Sequence, residues 1–168
     1  DSHTILVDAG CDTMPGFEMK NYYRPVDVLA KHGVSAEEIT DVVITHAHHD
    51  HIEAVHYFKN AIIYIQQEEY DQGKKYIPED FAVNCFSDSF MVDDCVNIIK
   101  IGGHSIGSSI VTFEKDGKEH VIVGDECYKR VCLERKIPTG SSYCLQKSKD
   151  FIEKFSSPEY KILLCHEE

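Results

Sequence analysis

The sequence predicts an α/β fold of buried strands flanked by helices, and three observations carry that expectation. Short apolar runs recur along the chain, each closed by a turn signal. Stretches with helical start and stop residues lie between several of them. The His and Asp residues of chemical interest fall just past the C-terminal ends of those runs, the edge at which helix-covered sheets place their sites.

The elements follow in order. Thr4-Ile5-Leu6-Val7-Asp8-Ala9-Gly10 is an apolar run stopped by a turn, a buried strand ending in Asp8. Pro25 and Gly33 bracket a helix over 26–32, Pro at the entry and Gly at the exit. Ser35-Ala36-Glu37-Glu38 has the pattern of a capping box. Residues 41–45 form a second buried strand that empties into a histidine cluster at 46–51. A third strand is expected over 61–65, then a polar helix near 68–75 and an irregular aromatic segment through Tyr76, Phe81, Phe86 and Phe90. Residues 96–101 lead into Gly102-Gly103-His104. The runs 109–113 and 120–123 flank Asp116-Gly117, a strong hairpin signal, and the hairpin delivers Gly124-Asp125. An amphipathic helix over 145–155 buries Leu145, Phe151, Ile152 and Phe155, and a last strand over 160–164 ends at Cys165-His166. There is no short-period repeat and no low-complexity segment.

The 168 residues, 42% of them hydrophobic, suit one domain spanning 1–168. With 29 acidic against 17 basic side chains the formal net charge is −12, which argues against a nucleic-acid partner, because phosphate contacts need clustered Lys and Arg. Most of that acidity reads as solvation, with several carboxylates available as metal ligands. Seven cysteines form no C-x-x-C pair and cannot all pair with one another, so a reduced, cytoplasmic setting is expected. No stretch has the length of a membrane span, and Asp1-Ser2-His3 enters the first strand without a signal-peptide pattern, so neither membrane nor export is expected.

Thr45-His46-Ala47-His48-His49-Asp50-His51 contains His-x-His-x-Asp-His, four imidazoles and a carboxylate within six residues. In extended backbone, positions two apart face the same side, so His46 and His48 can grip one ion while Asp50 and His51 turn toward a neighbouring one. Imidazole nitrogen and carboxylate oxygen suit Zn foremost, with Fe, Mn or Co also accommodated, and the lack of thiolates argues against a closed structural zinc site. The plainer alternative is a solvated loop whose histidines cap the following helix.

The block resembles the signature of the metallo-β-lactamase superfamily, and Asp8-Ala9-Gly10, Gly103-His104-Ser105, Gly124-Asp125 and Cys165-His166 follow in that family's order. The resemblance covers nearly the whole chain. It implies an αββα sandwich with two divalent metal ions: His46, His48 and His104 on the first, Asp50, His51 and His166 on the second, Asp125 bridging both. Asp8 would orient a ligand, as metal-bound imidazoles usually require; a turn carboxylate is the alternative. Hydrolysis would then proceed by attack of a metal-bridging hydroxide on a small-molecule substrate, with Asp50 handling its proton.

Tyr128 stands three residues after Asp125, and Asp-x-x-Tyr at this point resembles the N-acyl homoserine lactonase branch, which implies a phenol donor at the lactone carbonyl or departing oxygen; a Tyr packed on the rim is the alternative. The 34–38 segment before the His block and the path from Asp125 through a helix to His166 resemble the same branch. Glu53-Ala54 stands where glycines commonly follow the block, and Ile106 replaces a common proline after His104, departures that affect local packing. Glyoxalase-type thioesterases carry further helices, true β-lactamases generally lack the bridging Asp, nuclease branches expect basic surfaces, and flavodiiron proteins put glutamate where His48 stands. The expected activity is therefore opening of a lactone or ester; the alternatives are a thioester or other small-ester hydrolase, and a non-catalytic metal-binding module. The family's usual strands before the Asp8 turn are not visible in the sequence, so a compact variant or absent residues are expected. Cys127 and Cys165 read as small buried hydrophobes, His3, His32 and His120 as surface residues, His49 and His56 as supporting or solvated.

Overall fold

The computed structural model of this chain describes residues 3–20 and 22–166, which cluster into two compact units. The first holds the described residues through Ile65 together with Tyr70–Cys85; the second holds Gln66–Glu69 and those from Phe86 onward.

In the first unit, strands β1 (Ile5–Val7), β2 (Asp41–Ile44), β3 (Ile62–Gln66) and β4 (Ala82–Phe86) form a sheet in that order. β1 and β3 both run parallel to β2, pairing Ile5 and Ile62 with Asp41. β2 is buried along its whole length, so it reads as an unbroken apolar run after its first residue rather than as an alternation. Parallel neighbours need crossovers, and α1 (Pro25–Lys31) and α2 (His49–Ile52) lie within them. α1 starts with Pro at its first turn, as expected, and Gly33 follows its end. Ser35 and Glu38 close the predicted capping box around a turn of 3-10 helix, and the Ser35 N–H and hydroxyl hold the Glu38 carboxyl below the usual range. The core gathers Val42, Ile44, Ile52, Val55, Phe58, Ile63 and Ile65, with Tyr70, Tyr76 and Phe81 packed against it. These aromatics are structural filling.

α3 (Gln67–Gly73) and a 3-10 turn (Lys74–Tyr76) occupy the expected polar helical stretch. The segment expected to be irregular instead contains β4 and β5 (Ser89–Met91). Its signal is weak because Ala82-Val83-Asn84-Cys85-Phe86 lacks polar and apolar alternation, and pairing with neighbours decides its conformation.

The second unit is built on β5, β6 (Val96–Lys100), β7 (Ser109–Lys115), β8 (Lys118–Ile122) and β9 (Tyr160–Leu163), in that order. β7 and β8 meet at Asp116 (φ 54°) and Gly117 (φ 70°), both left-handed, the backbone that a two-residue hairpin turn demands. α4 (Arg130–Arg135) and α5 (Leu145–Phe155) complete the unit. α5 sends Phe151, Ile152 and Phe155 into a core with Ile110, Val121, Val123 and Ile162, each such burial stabilising by about 1.5–3 kcal/mol. Leu145, expected on that buried face, is exposed at the helix start.

Strand direction places the chemistry. β6 and β8 are both antiparallel to β7, and β9 is parallel to β8, so His104, Asp125 and His166, each just past one of these strands, share one edge of the sheet. In the first unit β1 and β2 are parallel, and Asp8 and His46 likewise follow their C-terminal ends on one edge. No helix among the described residues is long and apolar enough to cross a membrane.

Candidate metal centre

The first unit presents His46, His48, Asp50 and His51 around the start of α2. Asp8 organises them from a left-handed backbone (φ 61°), a conformation that Asp tolerates better than most residues. Its Oδ1 accepts the Thr45 N–H at 2.8 Å, and its Oδ2 accepts the Thr45 hydroxyl at 2.9 Å and His51 Nδ1 at 2.7 Å. A carboxylate only accepts, so His51 Nδ1 carries the proton and Nε2 carries the lone pair. The Thr45 hydroxyl, having donated to Asp8, is the acceptor for His46 Nδ1 at 3.1 Å, which again directs the lone pair to Nε2. His48 Nδ1 stands 2.9 Å from that atom. Two nitrogens on one tetrahedral zinc lie about 3.3 Å apart, so the pair is close to a ligating separation. Asp50 Oδ2 lies 3.6 Å from His51 Nε2. This is the contact that the expected orienting role of Asp8 would use, and the next residue adds to it, the Ala9 N–H donating to the His51 carbonyl.

The second unit presents His104, Asp125 and His166. His104 Nδ1 donates to the Ser141 carbonyl at 3.1 Å, leaving the lone pair on Nε2, which lies 3.5 Å from Asp125 Oδ2. The other Asp125 oxygen, Oδ1, lies 2.9 Å from His166 Nε2. One carboxylate therefore offers one oxygen toward each of two imidazoles. His104 and Asp125 are buried while His166 is exposed, so the second unit's donors run from interior to rim. Tyr128 packs edge-on against both imidazoles, its ring centroid 5.8 Å from that of His104 and 5.6 Å from that of His166.

These donors are imidazole nitrogens and carboxylate oxygens, with three histidines locked in the tautomer that turns Nε2 outward. This donor chemistry fits a divalent zinc or a neighbouring first-row ion. The nearby thiols add nothing to it: Cys127 is buried and donates to the Lys129 carbonyl, and burial, then Asp50, Glu53 and Asp12, push the Cys11 thiol up. Cys165 differs from the expectation of burial. It is exposed on the stretch beyond β9, which ends at Leu163.

Outside the pattern, His49 contacts the Thr13 carbonyl and the Tyr76 hydroxyl, and His56 contacts the Glu53 carbonyl. His3 and His120 are less idle than surface residues. His3 Nδ1 lies 2.6 Å from the buried Asp41 carboxylate, and His120 stacks on Phe113.

Sequence reasoning missed Glu126. It is buried, and its Oε1 accepts from the Gly103 and His104 N–H groups and from the Ser108 hydroxyl. Burial pushes its carboxyl above the usual range, and those three donors pull it partway back. Its place directly after Asp125 was the available signal, but its partners lie about twenty residues away and no local pattern connects them.

A sequence model of the metallo-beta-lactamase superfamily matches residues 1–150. The chain is 26% identical over 163 residues to a probable metallo-hydrolase of Methanocaldococcus jannaschii, covering 97% of this chain and 70% of that relative. Among solved structures it resembles a probable metal-dependent hydrolase from Staphylococcus aureus, with TM-score 0.81, 22% identity and coverage of 96% of this chain and 69% of that one. It also resembles an N-acyl homoserine lactone hydrolase with the product N-hexanoyl-L-homoserine bound at its catalytic metal center, with TM-score 0.78, 19% identity and coverage of 95% and 75%. The fold these likenesses share is the one expected from the order of the His and Asp motifs. The chain belongs to the metallo-beta-lactamase superfamily and is a metal-dependent hydrolase.

Proposed function

We propose that this chain opens a small lactone or ester at a centre of two divalent metal ions, most suitably Zn. His46, His48 and His104 hold the first, Asp50, His51 and His166 the second, and Asp125 bridges them. The observation that carries the reading is the Asp125 carboxylate, which turns Oδ2 toward His104 and Oδ1 toward His166. The lactone hydrolase among the structural neighbours supports the substrate class. A cleft of about 420 Å³ in the first unit adds to that support: Asp50 lies on its wall among Leu6, Tyr23, Pro25, Val28 and Leu29, a surface suited to an apolar substituent beside the reacting group.

When bound, divalent ions at such a centre supply a Lewis acid for the carbonyl and make water acidic enough to deliver hydroxide near neutral pH. The remaining work belongs to side chains. Asp50 accepts the proton released as water adds to the carbonyl carbon and returns it to the ring oxygen as the C–O bond breaks, yielding the hydroxy acid. Tyr128 donates a hydrogen bond to the oxygen that gains charge in the transition state. Asp8 and Thr45 hold His51 and His46 in the ligating tautomer throughout.

Elemental analysis of purified protein, paired with lactone-hydrolysis rates before and after chelation, tests the proposal. The expected result is about two metal equivalents and ring opening that the chelator abolishes. Two equivalents with no turnover of lactones or esters would overturn the lactonase reading; turnover confined to thioesters would move the substrate class.

A further inference from the structure

The loop at residues 102–108 is held by two buried carboxylates. On one side, Glu126 Oε1 accepts the Gly103 N–H at 3.0 Å, the His104 N–H at 3.1 Å and the Ser108 hydroxyl at 2.5 Å. On the other, Glu69 Oε1 accepts the Ser105 hydroxyl at 2.6 Å and the Gly107 N–H at 2.7 Å. The carbonyls of Gly103 and His104 accept from Cys144 N–H at 2.9 Å and Tyr143 N–H at 3.0 Å. Every backbone polar group of Gly103 and His104 is therefore engaged, and the His104 ring is engaged at Nδ1. The fit leaves no slack: a Cβ added at Gly103 would fall inside contact distance of Glu126 Oε2 and Ser148 Oγ.

Two consecutive residues thus address the same histidine in different ways. Asp125 turns its carboxylate to the His104 ring, and Glu126 turns its own to the His104 backbone. Three donors converge on one buried oxygen, so the reach of that oxygen sets where the loop sits. We propose that Glu126 is a positioning residue that fixes His104 Nε2 relative to Asp125, so that the two donors approach one ion already at ligating separation. The proposal rests on the reading of His104 and Asp125 as metal ligands. It differs from a general packing role because what matters is the reach of one accepting oxygen.

Zinc affinity by competition with a chromogenic chelator, and the visible absorption of the cobalt-loaded protein, read this out without any substrate. Glu126→Asp keeps the charge but falls short of the three donors. It is expected to weaken the tighter binding step about ten- to a hundred-fold, the range for losing an outer partner of a metal ligand, and to alter the cobalt spectrum. Glu126→Gln keeps an accepting oxygen at the same reach and is expected to restore affinity to within about threefold of the parent. Parent-like affinity and spectrum in Glu126→Asp, or no rescue by Gln, would overturn the proposal. Amide exchange in the metal-free parent gives an answer even if a variant fails to fold. Strong protection at Gly103 and His104 is expected, and rapid exchange there would remove the clamp. His104→Ala separates the two readings. If it binds metal like the parent, the metal-site reading falls; if it loses affinity while Glu126→Asp does not, only the positioning role falls.

Discussion

Asp8 shows how much of the proposed metal site is settled by hydrogen bonds alone. Its two oxygens take three donors, and those bonds decide which nitrogen of His51, and through Thr45 which nitrogen of His46, carries a lone pair. The donor role proposed for Tyr128 comes later, on charge that exists only in the transition state. Tyr128→Phe is therefore expected to lower kcat on a lactone by about ten- to a thousand-fold with metal content unchanged. Steady-state kinetics and elemental analysis on one preparation check this, and parental kcat would reject the donor role. Asp125→Ala removes both oxygens of the proposed bridge, so the expected loss is of metal itself; a variant retaining full metal content would contradict the bridging assignment. The His46 to His51 block was legible in the sequence because its members are neighbours in the chain. Ser141 and Glu126 were not, since each meets His104 from far along the chain, with the β7–β8 hairpin in between, and uses a backbone carbonyl or a side-chain oxygen that any of several residues provides.

At the scale of elements, the best-read features were those with local punctuation. α5 spans the expected 145–155, and the hairpin turns at Asp116 and Gly117 as expected, because a 3.6-residue apolar period and a left-handed turn pair are visible within one element. β4 and β5 carry no such mark, and their strand character comes from neighbouring strands. The face of α5 also sets a stability expectation. Phe151 is buried against Phe155, ring centroids 4.8 Å apart, so Phe151→Ala is expected to destabilise the protein by about 3–5 kcal/mol. Chemical denaturation of the metal-loaded protein measures this directly. A loss below about 1 kcal/mol would mean that the helix is not anchored through this face.

For the whole molecule, the formal charge of −12 and the proposed metal load belong together, since carboxylates and imidazoles crowded at strand edges gain a counter-charge when cations bind. Ligands that bind only the folded state stabilise it, by about 2.7 kcal/mol at a hundredfold excess over Kd. Chelation is therefore expected to lower Tm by several degrees, reversibly on re-addition of zinc, as differential scanning calorimetry would record. An unchanged Tm would argue that the donors hold no ion in the folded protein. The superfamily was legible in the sequence because the His and Asp motifs of this chain follow one another in the order that the resemblance implies, although overall identity to the solved structures compared is only 18–23%. The β7–β8 hairpin leads to a practical consequence. β7 leaves the His104 loop at Ser109 and climbs to its turn at Asp116, roughly 24 Å along the strand at about 3.4 Å per residue. An epitope, fluorophore or surface tether spliced between Asp116 and Gly117 would thus sit at the far end of the sheet from the edge that carries His104 and Asp125, a graft point for immobilising or imaging the protein with the proposed site facing away.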